Sequence, residues 1–125
     1  MKQQLDLGLL VLRLAFGGIM MLAHGWGKLL AFGEASASFP DPLGVGSVTS
    51  MALTVFAEFF CGLFVALGLA TRLAAVPLFI TMVVAALIIH GQDPWQKKEM
   101  AVIYAAAYLV IMLVGGGKYS LGHSS

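Results

Sequence analysis

The chain has 125 residues, of which 60% are hydrophobic and 10% are charged, and its formal net charge at pH 7 is +1. This length fits a single domain, 1–125, and the charged fraction is far below the roughly 25% of an average soluble domain, which excludes a water-facing surface. The near-neutral charge leaves no basic stripe for phosphates and excludes nucleic acid as a partner, and the single cysteine, Cys61, excludes an internal disulfide.

Four long apolar stretches dominate the chain. They cover residues 5–31, 51–69, 73–89 and 100–114. About 20 helical residues cross a hydrocarbon core, with roughly 17–25 accepted, and the first stretch is longer than that. It therefore predicts a helix that tilts or projects beyond the membrane. The whole pattern predicts an all-α fold, an integral membrane four-helix bundle that has the lipid bilayer as its surroundings.

The first stretch is predicted to be a retained transmembrane helix rather than a signal peptide. Arg13 interrupts what would be the apolar core of such a peptide, and no clear small-residue cleavage site comes after it. Four spans place both termini on one side of the membrane. The basic residues divide equally between the two sides, so the positive-inside rule barely separates them, and we expect both termini in the cytoplasm.

Turn-forming residues mark the connections between the apolar stretches. Segment 33–50 is rich in glycine, proline and serine, and it predicts an external loop with a short interfacial helix over 35–39. A tight hairpin ending at Arg72 joins the second and third stretches. Asp93-Pro94 comes after the third stretch and predicts its end, because proline biases the preceding residue away from helix.

Ionisable side chains lie inside these apolar stretches and require an explanation. A charge near the bilayer centre costs roughly 2.5–3.5 kcal/mol on insertion scales. Such groups are therefore paired with another charge, placed in a hydrated cavity or required for function. At about 1.5 Å of rise per residue, Arg13 and Glu58 differ in depth by roughly 8 Å, within reach of an extended arginine. We therefore predict an Arg13–Glu58 ion pair, which either staples two helices or takes part directly in chemistry.

A polar pocket is predicted at the far side of the membrane. His24, His90 and Glu99 are expected there, at the ends of the first and third helices and the start of the fourth. Together with Glu58 they predict a pocket that opens outward and has Arg13 at its floor. A ligand bound there would meet imidazoles that can exchange protons near neutral pH.

Several of these residues also have a purely structural interpretation. His24 beside Trp26 suits an interfacial aromatic belt, and Glu99 suits the first turn of a helix. Tyr104 and Tyr108 stack at a four-residue step, and such tyrosines more often pack than carry redox chemistry. Two histidines and two carboxylates suit a metal, but no His-Glu-x-x-His motif supports one, and we assign no metal site.

Short motifs spread over nearly the whole chain resemble the DoxX family. The family pattern includes His-Gly-x-x-Lys-Leu, Glu-x-x-x-Gly and Gly-x-x-Thr-Arg elements. The similar runs in this chain are HGWGKL at 24–29, EFFCG at 58–62, GLATR at 68–72, His90 followed by DPW at 93–95 and Glu99, and GGGKYSL at 115–121. Gly122 departs from the family, in which many relatives carry aspartate after Ser-Leu.

The resemblance implies a multi-pass protein of the bacterial inner membrane with a link to redox metabolism. Relatives include the membrane subunit of a quinone-linked thiosulfate oxidoreductase and components of membrane oxidoreductase complexes in oxidative-stress defence. These roles differ from one another, so family membership implies the fold more strongly than the function.

The leading hypothesis is a membrane subunit of a redox system that binds a quinone or similar small ligand, with no covalently bound cofactor. A quinone needs an apolar slot and hydrogen-bonding or proton-carrying groups for its carbonyls. We assign the catalytic roles to His90, His24 and Glu58. The residues expected to bind the ligand around them are Arg13, Trp26, Lys28, Glu99 and Tyr104. The sequence has no Gly-x-Gly-x-x-Gly nucleotide loop, so electrons are expected from a partner oxidoreductase or a diffusing reductant.

Two other functions remain open at this point. The first is a non-catalytic membrane anchor or assembly subunit for a partner oxidoreductase, which the small size and short loops favour. The second is a small-molecule carrier or channel, although the chain shows no inverted repeat or pair of broken helices. A homo-oligomer is compatible with each of these functions, and whether the protein is an enzyme stays open.

Overall fold

The computed structural model describes residues 1–122, and that part of the chain consists of helices and their connections. Four long helices form a bundle, and one short helix lies in the first connection. They are α1 (Lys2–Leu30), α2 (Phe32–Ala35), α3 (Ser47–Leu67), α4 (Thr71–Ile89) and α5 (Trp95–Val114). The prediction of an all-α, four-helix membrane bundle is confirmed.

Helices α1, α3 and α4 are long and apolar enough to cross a membrane. At 29 residues, α1 is about 44 Å long, which exceeds a hydrocarbon core of about 30 Å and agrees with the predicted tilt or projection. Helix α5 has 20 residues, but Lys97, Lys98 and Glu99 occupy its first turns. Its apolar part is consequently shorter than those of the other three helices.

Glycines allow α1 and α3 to pack with their backbones almost in contact. A Cβ atom at Gly17 would lie 2.6 Å from the Ala66 nitrogen, and one at Gly25 would lie 2.6 Å from the Phe59 nitrogen. Real Cβ atoms do not approach backbone so closely, so both positions require glycine for this packing. These contacts fix the register of the two antiparallel helices and place Gly25 level with Phe59.

The predicted tight hairpin between the second and third long helices is present. Gly68 adopts a left-handed conformation with φ 78°, and the amides of Gly68 and Leu69 both donate to the carbonyl oxygen of Phe64. This arrangement is the common glycine-terminated helix end. Helix α4 then begins at Thr71, two residues earlier than the predicted apolar stretch.

The connection between α1 and α3 differs from the prediction of a helix over 35–39. The chain forms α2 and a single 3-10 turn, Ser36–Ser38, and becomes extended at Phe39. The extension has a local cause, because Pro40 disfavours a helical conformation in the residue before it. Helix α3 begins at Ser47 rather than 51, after a loop organised by Asp41.

The two ends of the described chain pack together at one end of the bundle. The amide of Lys118 donates to Asp6 Oδ1 at 3.2 Å, and the amide of Gly122 donates to the Gly68 carbonyl oxygen at 2.8 Å. We call this side, with Asp6, Gly68 and Lys118, the hairpin end. The opposite side, with His24, Ser47 and His90, is the loop end. The expected position of the last residue, Ser125, lies outside the described residues.

Candidate functional site

A cavity of about 590 Å³ opens at the loop end, between α1, α3, α4 and α5. Its volume lies in the range of about 300–1,000 Å³ that is typical of small-molecule sites. Phe39, Pro40, Pro42 and Leu43 of the first connection cover one side. The remaining wall is mostly apolar and includes Met20, Leu53, Ala57, Ile80, Val84 and Met100.

An ion pair between Lys28 and Glu58 forms part of the cavity wall. Lys28 Nζ donates to Glu58 Oε1 at 2.6 Å, which joins the end of α1 to the middle of α3. The carboxylate side chain is 5% exposed, whereas that of the lysine is 32% exposed. The lysine is therefore the less buried partner, and it supplies the counter-charge that the buried carboxylate needs.

His24 lines the cavity from α1, one helical turn before Lys28. Its ring meets the edge of Tyr104 with the two centroids 5.9 Å apart. Tyr104 stacks in turn on Tyr108, whose hydroxyl donates to the carbonyl oxygen of Phe16 at 2.9 Å. The imidazole is thus held on one side by α5, while the other side lines the cavity.

His90 reaches the cavity from the end of α4 and is oriented by a carboxylate. Its Nδ1 lies 2.8 Å from Asp93 Oδ2, so Nδ1 is assigned as the donor, because an ionised carboxylate only accepts. The hydrogen bond from His90 is the main cause that lowers the pKa of Asp93. An imidazole with Nδ1 engaged in this way has Nε2 left to exchange a hydrogen bond or a proton with a ligand.

The helices are locally widened where these polar residues occur. His24 lies in the π-helical segment Met20–Gly25, and Glu58 lies in the π-helical segment Phe56–Cys61. Two further such segments are Ala85–Ile89, which ends directly before His90, and Leu14–Gly18, which comes directly after Arg13 and away from the cavity. Single turns of π-helix are uncommon and concentrate at functional sites, because they redirect side chains that a regular helix would place elsewhere.

Threonine hydroxyl groups in the cavity wall bond to their own helices rather than to the cavity. Thr54 donates to the Ser50 carbonyl oxygen at 2.9 Å, and Thr81 donates to the Pro77 carbonyl oxygen at 2.7 Å. These bonds engage the hydroxyl hydrogens of both threonines. The ionisable side chains of the cavity wall are consequently the polar groups that remain for a ligand.

Arg13 is not at the floor of this cavity, and the predicted Arg13–Glu58 ion pair is wrong. Arg13 is 1% exposed and lies at the hairpin end, where its Nη2 donates to the Tyr119 carbonyl oxygen at 3.1 Å. Because Gly25 is level with Phe59, Arg13 lies about 18 Å of helix away from Glu58. The ion-pair partner of Glu58 is Lys28 and not Arg13.

The other residues predicted to bind the ligand are only partly brought together. Tyr104 contacts His24 behind the cavity, whereas Trp26 is 47% exposed and packs against Phe59, with the ring centroids 5.8 Å apart. Glu99 is exposed on α5 and does not line the cavity. Among the described residues, no group of three or more His, Cys, Asp or Glu side chains could hold a metal ion.

Two parts of the cavity were missed by the sequence reasoning. Lys97 lines the cavity from the first turn of α5, and the covering segment 39–43 contributes apolar and proline side chains. The position of Lys97 could have been noticed, because it comes shortly after the Asp93-Pro94 turn that succeeds His90. No pattern in the sequence indicated that the first connection folds over the cavity.

Comparison with known families agrees with this architecture. Residues 8–91 match the DoxX family, and this range includes most of α1, all of α3 and α4, and three of the polar residues of the cavity: His24, Glu58 and His90. No curated protein and no solved structure matches the chain. Because the match covers well over half of the sequence, this chain belongs to the DoxX family.

Proposed function

We propose that the protein is a membrane subunit of a redox system and that its cavity binds a quinone or a similar small ligand. One observation carries this proposal. The cavity of about 590 Å³ is mostly apolar and has His24, Glu58 and His90 in its wall at the loop end. Membership of the DoxX family and the three membrane-spanning helices support placement in a bilayer, where quinones dissolve.

The polar residues of the cavity suit the two carbonyl oxygens of a quinone. A carbonyl oxygen accepts hydrogen bonds, and the imidazole of His24 and the ammonium of Lys28 can donate them. His90, whose Nδ1 donates to Asp93, donates from Nε2 when the ring is an imidazolium. Reduction of a quinone also takes up protons, and the same imidazoles can supply them. The apolar wall between these groups holds a ring and keeps water away from it.

A partner oxidoreductase is proposed as the source of electrons. The sequence has no Gly-x-Gly-x-x-Gly loop for a flavin or nicotinamide nucleotide. In this scheme the chain binds and protonates the quinone, and the partner docks at the membrane surface and delivers the electrons. The bacterial inner membrane is the proposed location. The contact of Lys118 with Asp6 supports both ends of the described chain on one side of the bundle, and that side is proposed to face the cytoplasm.

The test is quinone binding by the purified protein in lipid nanodiscs. Decylubiquinone is expected to bind the wild-type protein, and His90→Gln is expected to weaken binding by about tenfold, the equivalent of one lost hydrogen bond. Gln92→Ala, in the same turn but outside the cavity, is the control and should bind normally. A wild-type protein that binds no quinone but co-purifies with a soluble oxidoreductase would instead support the anchor function.

A further inference from the structure

A second, smaller cavity continues the first along the seam between α3 and α4. It is a groove of about 360 Å³, and the two cavities share Phe56 and Pro77 as lining residues. The rest of its lining comes from the two facing helices and the hairpin between them: Cys61, Phe64, Ala70, Leu73, Ala74 and Val76. We call this the seam groove.

The first cavity has polar side chains in its wall, and the seam groove does not. The wall of the first cavity has the Lys28–Glu58 ion pair, His90 and two threonines whose hydroxyls bond within their own helices. All the side chains of the seam groove are apolar. A ligand that matches this contrast has a polar ring at one end and a hydrocarbon chain at the other.

The dimensions favour a ligand that is longer than the first cavity. The seam groove runs along α4 from Pro77 back to Ala70, which is about 10 Å of helix. From His90 to Ala70 the distance along α4 is about 30 Å, close to the thickness of the hydrocarbon core. The groove also faces outward, since Leu73 is 73% exposed at its edge. Lipid-soluble molecules can therefore reach it from within the membrane.

We propose that the seam groove holds the hydrocarbon chain of the ligand whose ring lies in the first cavity. The ligand is then a long-chain quinone that reaches the site laterally between α3 and α4, and not a short quinone from water. This inference rests on the proposed function and adds the class of ligand. The hydrocarbon chain of the ligand is recognised by close packing in the groove and not by its hydrophobicity, because the surrounding lipid is equally apolar.

The test compares two probes that differ only in the chain. The probes are decylubiquinone and the same dimethoxy-methyl quinone ring without a chain, and affinities are measured in nanodiscs as mole fractions in lipid. Val76→Phe, in the seam groove, is compared with Val83→Phe. Both valines are partly buried on α4, and Val83 lines neither cavity. If Val76→Phe does not fold, Leu73→Trp at the exposed edge replaces it.

Val76→Phe is expected to weaken decylubiquinone binding by about tenfold, because a larger side chain overpacks the occupied groove. Binding of the ring without a chain should be unchanged, and Val83→Phe should affect neither probe. Equal weakening of both probes, or no effect on either, overturns the assignment of the groove. If the wild-type protein binds neither probe, the proposed function itself fails; if it binds both and the variant does not discriminate, only the groove assignment fails.

Discussion

Each end of the bundle contains a buried charged side chain, and the surroundings of the two side chains differ. At the hairpin end, Arg13 is sealed inside the protein and its Nη2 donates to a backbone carbonyl, while its Nε and Nη1 have no partner among the described residues. At the loop end, Glu58 is also buried but has the ammonium of Lys28 beside it and an open cavity in front of it. Burial of a charge therefore does not by itself indicate a site, and the site is proposed at the loop end because the buried charge there borders open space.

Arg13 is accordingly interpreted as a structural residue that holds the C-terminal segment against α1. A Cβ atom at Gly68 would collide with Arg13 Nη1 and with Ser120, so the hairpin glycine is required for the guanidinium to fit. Neither cavity of the described chain is lined by Arg13. Its hydrogen-bond acceptor is a backbone carbonyl of the C-terminal turn, which offers nothing for a ligand to exchange.

The largest expected effect is on stability at the hairpin end. Arg13→Ala should lower the free energy of unfolding by about 2–5 kcal/mol, because it leaves a void and removes the bond to the Tyr119 carbonyl. Arg13→Met should recover much of this loss, since it refills the space and removes a buried charge with unpaired donors. Both are measured by unfolding in mixed detergent micelles. If the Arg13→Ala protein is as stable as the wild type but binds quinone more weakly, Arg13 is a binding residue and not a structural one.

A smaller and asymmetric effect is expected at the loop end. Lys28→Met should lower the free energy of unfolding by about 1–3 kcal/mol, because the buried carboxylate of Glu58 loses its counter-charge. Glu58→Gln should cost less than about 1 kcal/mol, since the long, partly exposed lysine can turn to water. The same unfolding measurement checks both variants, and equal losses would show that both groups are buried alike.

The smallest effect concerns the loop that covers the cavity. Asp41 accepts hydrogen bonds from the Ser50 hydroxyl and from the amides of Gly46 and Val45, and these bonds lower its pKa. A carboxyl with a depressed pKa stabilises the fold above the ordinary aspartate value of about 3.9 and loses this contribution as the pH falls through the depressed value.

Hydrogen exchange measures this effect directly. Protection of the Val45 and Gly46 amides, corrected for intrinsic exchange rates, should decrease as the pH falls below the pKa of an ordinary aspartate. Asp41→Asn should show low protection at every pH. Protection that is independent of pH in the wild-type protein would show that another group holds the loop.

Most of the fold could be predicted from the sequence, because spanning length and turn residues determine it. Stretches 51–69 and 73–89 lie within a few residues of α3 and α4, and Asp93-Pro94 lies in the turn between Ile89, where α4 ends, and Trp95, where α5 begins. The pairing of charges could not be predicted. Small shifts in where α1 and α3 begin change the relative depth of their residues, and the contact of Gly25 with Phe59 is needed to fix it.

The orientation of side chains around each helix could not be predicted either. The π-helical segments at His24 and Glu58 rotate the residues that come after them, and no residue pattern indicates such a segment. The folded cover over the cavity depends on Asp41, an acidic loop residue whose hydrogen bonds had no signal in the sequence. Of the residues predicted as one pocket, His24, Glu58 and His90 line the cavity, whereas Glu99 is exposed outside it and Arg13 lies at the hairpin end.

The central claim is that the ligand lies in the cavity at the loop end and not against Arg13. Photolabelling with a diazirine-bearing quinone, followed by peptide mass spectrometry, tests it most directly. We predict that label concentrates on cavity-lining residues such as Thr54, Ile80 and Met100, and that excess decylubiquinone removes it. Label near Arg13 and Tyr119, or label spread evenly over lipid-facing residues and insensitive to competition, would contradict the claim.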